Sequence, residues 1–299
     1  MPLLDLHTHS TCSDGLCSPR ELVDLAAARG LDTIALTDHD TTDGNREFVA
    51  YARKRGIRGI AGVEISARWK GAGNCHIGGL GVPRDHAPLQ QILARTRHSR
   101  DNRVALTVAK LREHGVDIEE RDIRRAARGE VMTRPHVARA LVDRGIVSSV
   151  NDAFDTLLYK GGPGYVDRYR LKPPEAVSLL HHAGALVVLA HPDQLRIEDP
   201  EIRALIEKLI PHGLGGIEVY ATSCSDMQIE QYLALARHYH LRVTGGSDFH
   251  GESKPEHVLG CYRPDTPVPT ECLEAVGGWA DSNTEGSGQV MESRGGRDR

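Results

Sequence analysis

Two short segments far apart in the chain carry metal-binding residue types two positions apart. His7 and His9 lie in Asp5-Leu6-His7-Thr8-His9-Ser10, and Asp248 and His250 lie in Gly246-Ser247-Asp248-Phe249-His250-Gly251. Alternation along a strand puts residues i and i+2 on one face, so each segment offers a two-toothed clamp for a metal ion. Between them stand Thr37-Asp38-His39-Asp40, Gly62-Val63-Glu64, His76 and Ala190-His191-Pro192. A single histidine is usually an ordinary structural residue. This many imidazoles and carboxylates at strand ends is instead the inventory of a multinuclear metal site.

The elements that must position them alternate between strand and helix. Leu3 to His7 reads as a strand. Ser18-Pro19-Arg20-Glu21 then opens a helix with an N-cap, an N1 proline and a capping-box glutamate, and that helix stops at Gly30. Strands are expected at Thr33 to Thr37, Ile57 to Ile65 and Cys75 to Val82, with a helix over about 43 to 55. This spacing predicts a parallel sheet. From 85 to 165 four helices follow without a convincing strand: Arg95 to Glu113, Glu119 to Arg128, Pro135 to Arg144 and Asn151 to Leu158. The α/β rhythm then returns, with strands at Ala185 to Ala190, Gly216 to Tyr220 and Leu241 to Gly245. Most candidate ligands fall at C-terminal strand ends, where parallel barrels gather their catalytic groups on one rim.

The bulk properties narrow the class. The 299 residues suffice for a full α/β barrel, and with 39% hydrophobic but only 4% aromatic residues the core must be Leu, Val, Ile and Ala. A net charge of −4 gives no general attraction to nucleic acid. No apolar run approaches the roughly 18 residues of a membrane span, and the first residues lack a signal-peptide pattern, so a cytoplasmic location is expected. Six cysteines without a C-x-x-C pair are expected to be reduced, with Cys12 a bystander. Residues 95 to 145 carry 13 Lys/Arg against 8 Asp/Glu, either a solvated helical face or a positive lid over an anionic substrate.

In order, His7-Thr8-His9, Ser13-Asp14-Gly15, Thr37-Asp38-His39, Glu64, His76, Ala190-His191-Pro192 and Ser247-Asp248-Phe249-His250 resemble the signature of PHP-domain phosphoesterases. The resemblance spans about residues 3 to 260. Thr133-Arg134-Pro135-His136-Val137-Ala138 and the segment Tyr159 to Val166 resemble the branch that holds 3′,5′-nucleoside bisphosphate phosphatases and a related 5′→3′ exoribonuclease. The resemblance implies a distorted (β/α)7 barrel over 1–84 and 166–280. A helical insertion at 85–165 would serve as a substrate lid, and 281–299 has the composition of a disordered tail. It also implies up to three ions. His7, His9, Glu64 and Asp248 would hold one, and Glu64 would share a second with His76 and His191. Asp14, His39 and His250 would hold a third. Six imidazoles and three carboxylates suit Mn, Fe or Zn rather than all-oxygen Ca or Mg sites, and the family favours Mn²⁺. Asp38, Asp40 and Glu218 either orient ligand histidines or cap loops. The Asp193-Gln194-Leu195 run after His191-Pro192 departs from the family's glycine and aromatic.

Clustered divalent ions suit phosphate-ester hydrolysis without a covalent nucleophile; Ser247 is then a turn residue. The expected reaction is in-line attack by a metal-bridging hydroxide, with His7, His9, Glu64, His191 and Asp248 at its centre. Arg134 and His136 match the family's phosphate-contact motif, and Lys160, in a glycine-rich loop, is placed to hold a second phosphate. A cap for the following helix is the alternative role of Arg134. The expected partner is a phosphorylated small molecule, a nucleoside 3′,5′-bisphosphate losing its 3′-phosphate, and neither DNA nor a membrane. The insert's aromatics, Phe154, Tyr159 and Tyr165, are few for a strand-binding channel, which leaves short RNA second and histidinol phosphate third. A non-catalytic metal module would have lost ligands, and all nine positions are filled.

Overall fold

In the computed structural model, which describes residues 2–70, 73–127 and 132–277, strand order follows chain order through a seven-stranded sheet. Its strands are β1 (Leu3–Asp5), β2 (Leu31–Leu36), β3 (Arg58–Arg68), β4 (Asn74–Leu80), β5 (Leu186–Leu189), β6 (Gly216–Tyr220) and β7 (Arg242–Gly245). Helices α1 (Pro19–Ala28) and α2 (Asn45–Lys54) connect the first three strands. The insert carries α3 (Ala87–Glu113), α4 (Glu120–Ala127), α5 (Arg134–Asp143) and α6 (Val150–Thr156). Helices α7 (Pro173–His182), α8 (Asp199–Leu209) and α9 (Asp226–Tyr239) serve the last strands, and a small hairpin, β8 (Cys261–Arg263) and β9 (Thr266–Pro267), precedes α10 (Cys272–Val276). The predicted capping box opens α1: the Ser18 side chain accepts from Glu21 N while Glu21 reaches back to Ser18 N. The expected end of the second insert helix at Arg128, and the tail at 281–299, lie outside the described residues.

The sheet is not parallel throughout. β1, β2 and β3 run parallel, as do β5, β6 and β7, but β4 runs antiparallel to both of its neighbours. Only residues 69 to 73 join β3 to β4, too few for the crossover that a parallel pair needs. The reversal matters for function. It brings His76, near the start of β4, opposite Ser66 of β3, on the rim reached by the ends of the parallel strands. The sheet then curls until its outer strands meet. Leu6 N donates to Gly245 O (3.2 Å), His9 N donates to Phe249 O (2.9 Å), and Thr8 and Phe249 form a parallel bridge. The result is a distorted α/β barrel.

Aliphatic residues fill it as the composition requires: β5 and β6 are buried along their whole length, the mark of strands covered on both faces. The insert has an apolar cluster of its own, including Val104, Leu111, Ile118, Ile123, Val137 and Leu141. Helix α3 starts two turns before the expected Arg95, because His86 caps it by accepting from Leu89 N. Its first turns bury Leu89 and Leu93 in the barrel core, and its later turns bury Val104 and Leu111 in the insert. One helix therefore belongs to both bodies. Among the described residues no helix is long and apolar enough to cross a membrane.

Candidate metal centre

Glu64 lies in the middle of β3, fully buried, with five imidazoles against its carboxylate. Oε2 is 3.2 Å from His7 Nε2, 3.3 Å from His9 Nε2 and 3.0 Å from His39 Nδ1. Oε1 is 3.1 Å from His76 Nδ1 and 2.9 Å from His191 Nε2. Asp248 Oδ1 closes one side, 3.2 Å from His9 Nε2. On the other side Asp14 Oδ1 is 3.4 Å from His250 Nε2, and Asp14 Oδ2 is 3.8 Å from His39 Nε2. The structure thus brings all nine sequence-identified ligands together. Within 4.8 Å of one another, their donor atoms form overlapping groups: His7, His9, Glu64 and Asp248; His9, Asp14, His39 and His250; and His39, Glu64 and His76. His191 joins the last through Glu64 and through His76, whose Nδ1 is 3.2 Å from its Nε2.

Local structure explains this convergence. Thr8 turns away from its neighbours, donating from Oγ1 to Ala35 O at 2.6 Å, so His7 and His9 share the opposite face as strand alternation requires. The second clamp works otherwise. β7 ends at Gly245, and Asp248 takes a left-handed backbone (φ 51°), so a turn rather than an extended strand aims Asp248 and His250 together. Nδ1 of His250 and Nδ1 of His257 both donate to the Asp248 carbonyl, at 2.7 and 2.8 Å, which holds that conformation. His191 (φ 24°) is also left-handed, and strain of this kind gathers at functional sites. Buried Asp5 straps the two ends of the barrel together: it accepts from Ser247 Oγ (2.5 Å), Ser247 N (3.0 Å), Gly260 N (2.8 Å) and His7 N (3.2 Å). A β-carbon on Gly246 would lie 2.4 Å from His7 Cβ, so only glycine permits this approach.

The flanking carboxylates divide by role. Glu218 lies 3.1 Å from His7 Nδ1 through both oxygens and accepts from His191 N at 2.7 Å. It therefore fixes the His7 ring with Nε2 toward Glu64, as a carboxylate behind a metal-binding imidazole does. Asp38 instead ties down the loop after His9, accepting from Ser10 N, Ser10 Oγ and Ser13 Oγ at 2.6 to 2.7 Å. Asp40 accepts from Ser66 N at 3.1 Å.

A bound cation fits this donor set. Six buried atoms make no hydrogen bond: His7 Nε2, both nitrogens of His9, His39 Nδ1, Glu64 Oε2 and His76 Nε2. Buried polar atoms are otherwise paired almost without exception, and all six belong to residues of this cluster. Burial alone would raise Glu64, but His7, His76 and His39 hold it well below the usual carboxylate range. Asp248 is held low against burial by His9 and His7. Burial pushes His39 down to about 3, with Glu64 opposing and His9 adding to the fall. The same carboxylates hold His7 and His191 above the ordinary imidazole range and His9 up to about 9, against burial, so a cation binding here would take the place of those protons, ionised carboxylates and neutral imidazoles being the forms that ligate metals. Burial raises the Cys12 thiol, so it is not poised as a thiolate.

The PHP domain family matches residues 5–141. A 5′-3′ exoribonuclease of Escherichia coli is 35% identical over 254 residues, which cover 83% of this chain and 85% of that one. A 3′,5′-nucleoside bisphosphate phosphatase of Chromobacterium violaceum is 37% identical over 265 residues, covering 87% and 91%. The chain belongs to the PHP family. A solved metal-dependent phosphoesterase of Bifidobacterium adolescentis matches with a TM-score of 0.70 at 29% identity, over 91% of this chain and 95% of that one. This PHP protein is a metal-dependent phosphoric ester hydrolase that uses divalent ions.

The three substrate-contact candidates of the PHP insert are not equally placed. Arg134 is half-buried, hydrogen-bonds the Leu158 carbonyl through Nη2, and lies over Phe154 (4.9 Å) and Tyr165 (5.8 Å). His136 Nδ1 accepts from Thr133 N at 3.2 Å, closing a capping box at the start of α5. Lys160 stands exposed in the turn after Tyr159. Sequence reasoning missed Asp5, His257 and Lys254, whose Nζ is 3.0 Å from Asp248 Oδ2. Asp5 was detectable: a carboxylate inside the apolar run Leu3 to Leu6 must find buried donors.

Proposed function

We propose that the protein removes the 3′-phosphate from nucleoside 3′,5′-bisphosphates, using two or three divalent ions with Mn²⁺ as the preferred metal. His7, His9, Glu64 and Asp248 would hold one ion, Glu64 with His76 and His191 a second, and Asp14, His39 and His250 a third. Ions bound there supply a water activated near neutral pH and neutralise charge on the phosphoryl and leaving oxygens. The chain's own part is positional. Glu64 offers one oxygen to each half of the centre, Glu218 fixes His7, and the barrel buries His7, His9, Glu64, His191, Asp248 and His250 while Asp14 stays open to solvent. Arg134, His136 and Lys160 of the insert are the substrate contacts in this reading, and the insert acts as a lid.

One observation favours a mononucleotide over RNA. The rings of Phe154 and Tyr165 lie against the Arg134 guanidinium, leaving Tyr159, 48% exposed, as the insert aromatic open to a base. Binding along a single strand needs successive stacking platforms. The similarity to an exoribonuclease keeps trimming of short RNA from its 5′ end as the second reading.

The test is phosphate release by Mn²⁺-reconstituted protein from adenosine 3′,5′-bisphosphate, histidinol phosphate and a 5′-phosphorylated oligoribonucleotide, with Asp248→Ala as control. Fastest turnover of the bisphosphate is expected. Faster turnover of either other substrate, or full activity in the control, overturns the proposal.

A further inference from the structure

The rim carries an ammonium group beside its nine ligands, that of Lys254. Lys254 follows the short helical turn Gly251–Ser253, directly after the Asp248 and His250 clamp. Its backbone is held on both sides: its N donates to Gly251 O at 3.2 Å, and its carbonyl accepts from His257 N at 3.0 Å. From this anchored position Nζ donates to Asp248 Oδ2 at 3.0 Å and lies 3.4 Å from His250 Nε2. The side chain is 38% exposed, so its flexible stem can carry the ammonium out to solvent while the backbone stays in place.

Both contacts use residues that belong to the metal centre. Asp248 can serve two cations, because Oδ1 faces His9 while Oδ2 meets Lys254. His250 cannot. Its Nδ1 donates to the Asp248 carbonyl at 2.7 Å, so in the neutral ring Nε2 carries the one lone pair available for a ligand bond. That same Nε2 is 3.4 Å from Asp14 Oδ1, within the group His9, Asp14, His39 and His250. One lone pair does not serve an ammonium and a metal ion together, and two cations at one nitrogen repel. An ion in this group also meets less negative charge than its neighbour. The group holds one carboxylate, that of Asp14, whose side chain is 54% exposed, whereas the group His7, His9, Glu64 and Asp248 holds two, both buried.

We infer that Lys254 competes with the ion of the Asp14, His39 and His250 group for His250 Nε2, and so decides whether the centre holds two ions or three. The inference rests on the proposed division of the ligands among three ions. With its ammonium on His250, Lys254 supplies a single fixed charge at that corner of the rim. Uptake of the third ion requires Lys254 to give up Nε2, keeping Asp248 Oδ2 or turning to solvent. The third ion is therefore the last to bind and the first to leave, and its occupancy follows the free metal concentration.

The experiment titrates Mn²⁺ into metal-free wild type, Lys254→Met, Lys254→Arg and His39→Ala by calorimetry, with metal per chain counted by elemental analysis across the same free Mn²⁺ concentrations. Methionine keeps the length of the stem and removes the charge and the donor; arginine keeps both. In Lys254→Met the last ion should bind about 10- to 100-fold more tightly, the size of a hydrogen bond to a charged group, while the earlier ions stay within about threefold of wild type. Lys254→Arg should restore most of the wild-type weakness. His39→Ala should lose the last ion alone, and adding Lys254→Met to it should tighten nothing further. Unchanged affinity for the last ion in Lys254→Met, or equal tightening of every ion, which a change of net charge alone gives, overturns the competition and leaves the ligand grouping standing. Uptake of only two ions at saturating Mn²⁺ by both wild type and Lys254→Met overturns it as well. Three ions in wild type with none lost in His39→Ala overturns the grouping, and the inference with it.

Discussion

Replacing Glu218 with alanine separates the support of the metal centre from its ligands. Glu218 meets His7 Nδ1 with both oxygens at 3.1 Å and the His191 amide at 2.7 Å. The alanine variant strands two buried donors, each worth about 1 to 3 kcal/mol, so the metal-free protein should lose roughly 2 to 6 kcal/mol of stability. The His7 ring, no longer held, can rotate or change tautomer. Loss of such a partner costs metal affinity about 10- to 100-fold, or roughly 1.4 to 2.8 kcal/mol. Glu218→Gln should fall between, because its amide oxygen can accept from one donor while its NH₂ faces the other. Mn²⁺ titration of metal-free wild type and both variants by calorimetry, with denaturant unfolding of the same samples, measures both quantities. Wild-type Mn²⁺ affinity in Glu218→Ala would show that His7 is oriented without its carboxylate and would overturn the role given to Glu218.

Three further outcomes follow from named contacts. Burial raises Asp5 to about 6 against four donated hydrogen bonds; a raised acid favours folding in its protonated form, so its contribution is full below about pH 4 and is lost as pH rises through 6. The stability of wild type relative to Asp5→Asn, measured on metal-free protein, should therefore fall by up to about 3 kcal/mol across that window, and a flat difference would contradict it. Gly246→Ala puts a β-carbon 2.4 Å from His7 Cβ and should cost about 3 kcal/mol by overpacking, read as a lowered denaturation midpoint; a neutral effect would show that the two barrel ends can part. His257→Leu frees one of the two imidazole bonds to the Asp248 carbonyl and should cost about 1 kcal/mol while weakening Mn²⁺ binding, and an unchanged titration would assign that carbonyl to His250 alone.

The ligands were legible because they sit in short motifs whose residue types have few other uses, and strand alternation correctly paired His7 with His9. What the motifs could not convey was geometry made at a distance. The reversal of β4 depends on the length of one connection, and it determines that His76 reaches the rim. Asp248 and His250 look like a strand pair, yet they meet through a left-handed turn held by His257, seven residues beyond the motif. The spacing misses the first two turns of α3 because they carry the apolar residues of a different core, Leu89 and Leu93. The excess of positive charge over residues 95 to 145 reads either as a solvated helical face or as a positive lid, since nothing local says what its arginines face. Only the tertiary packing of the insert does.

Glu64, with five imidazoles around one carboxylate, would join ions in the two halves of the centre. Metal content per chain, measured by elemental analysis after Mn²⁺ loading and gel filtration, tests it most directly in wild type and Glu64→Ala. Two or three ions are expected in the wild type, and in the variant the loss of more than one ion together with hydrolysis, the barrel remaining folded by circular dichroism. A folded Glu64→Ala variant that keeps its full complement of ions, or loses a single ion and still hydrolyses its substrate, would contradict it.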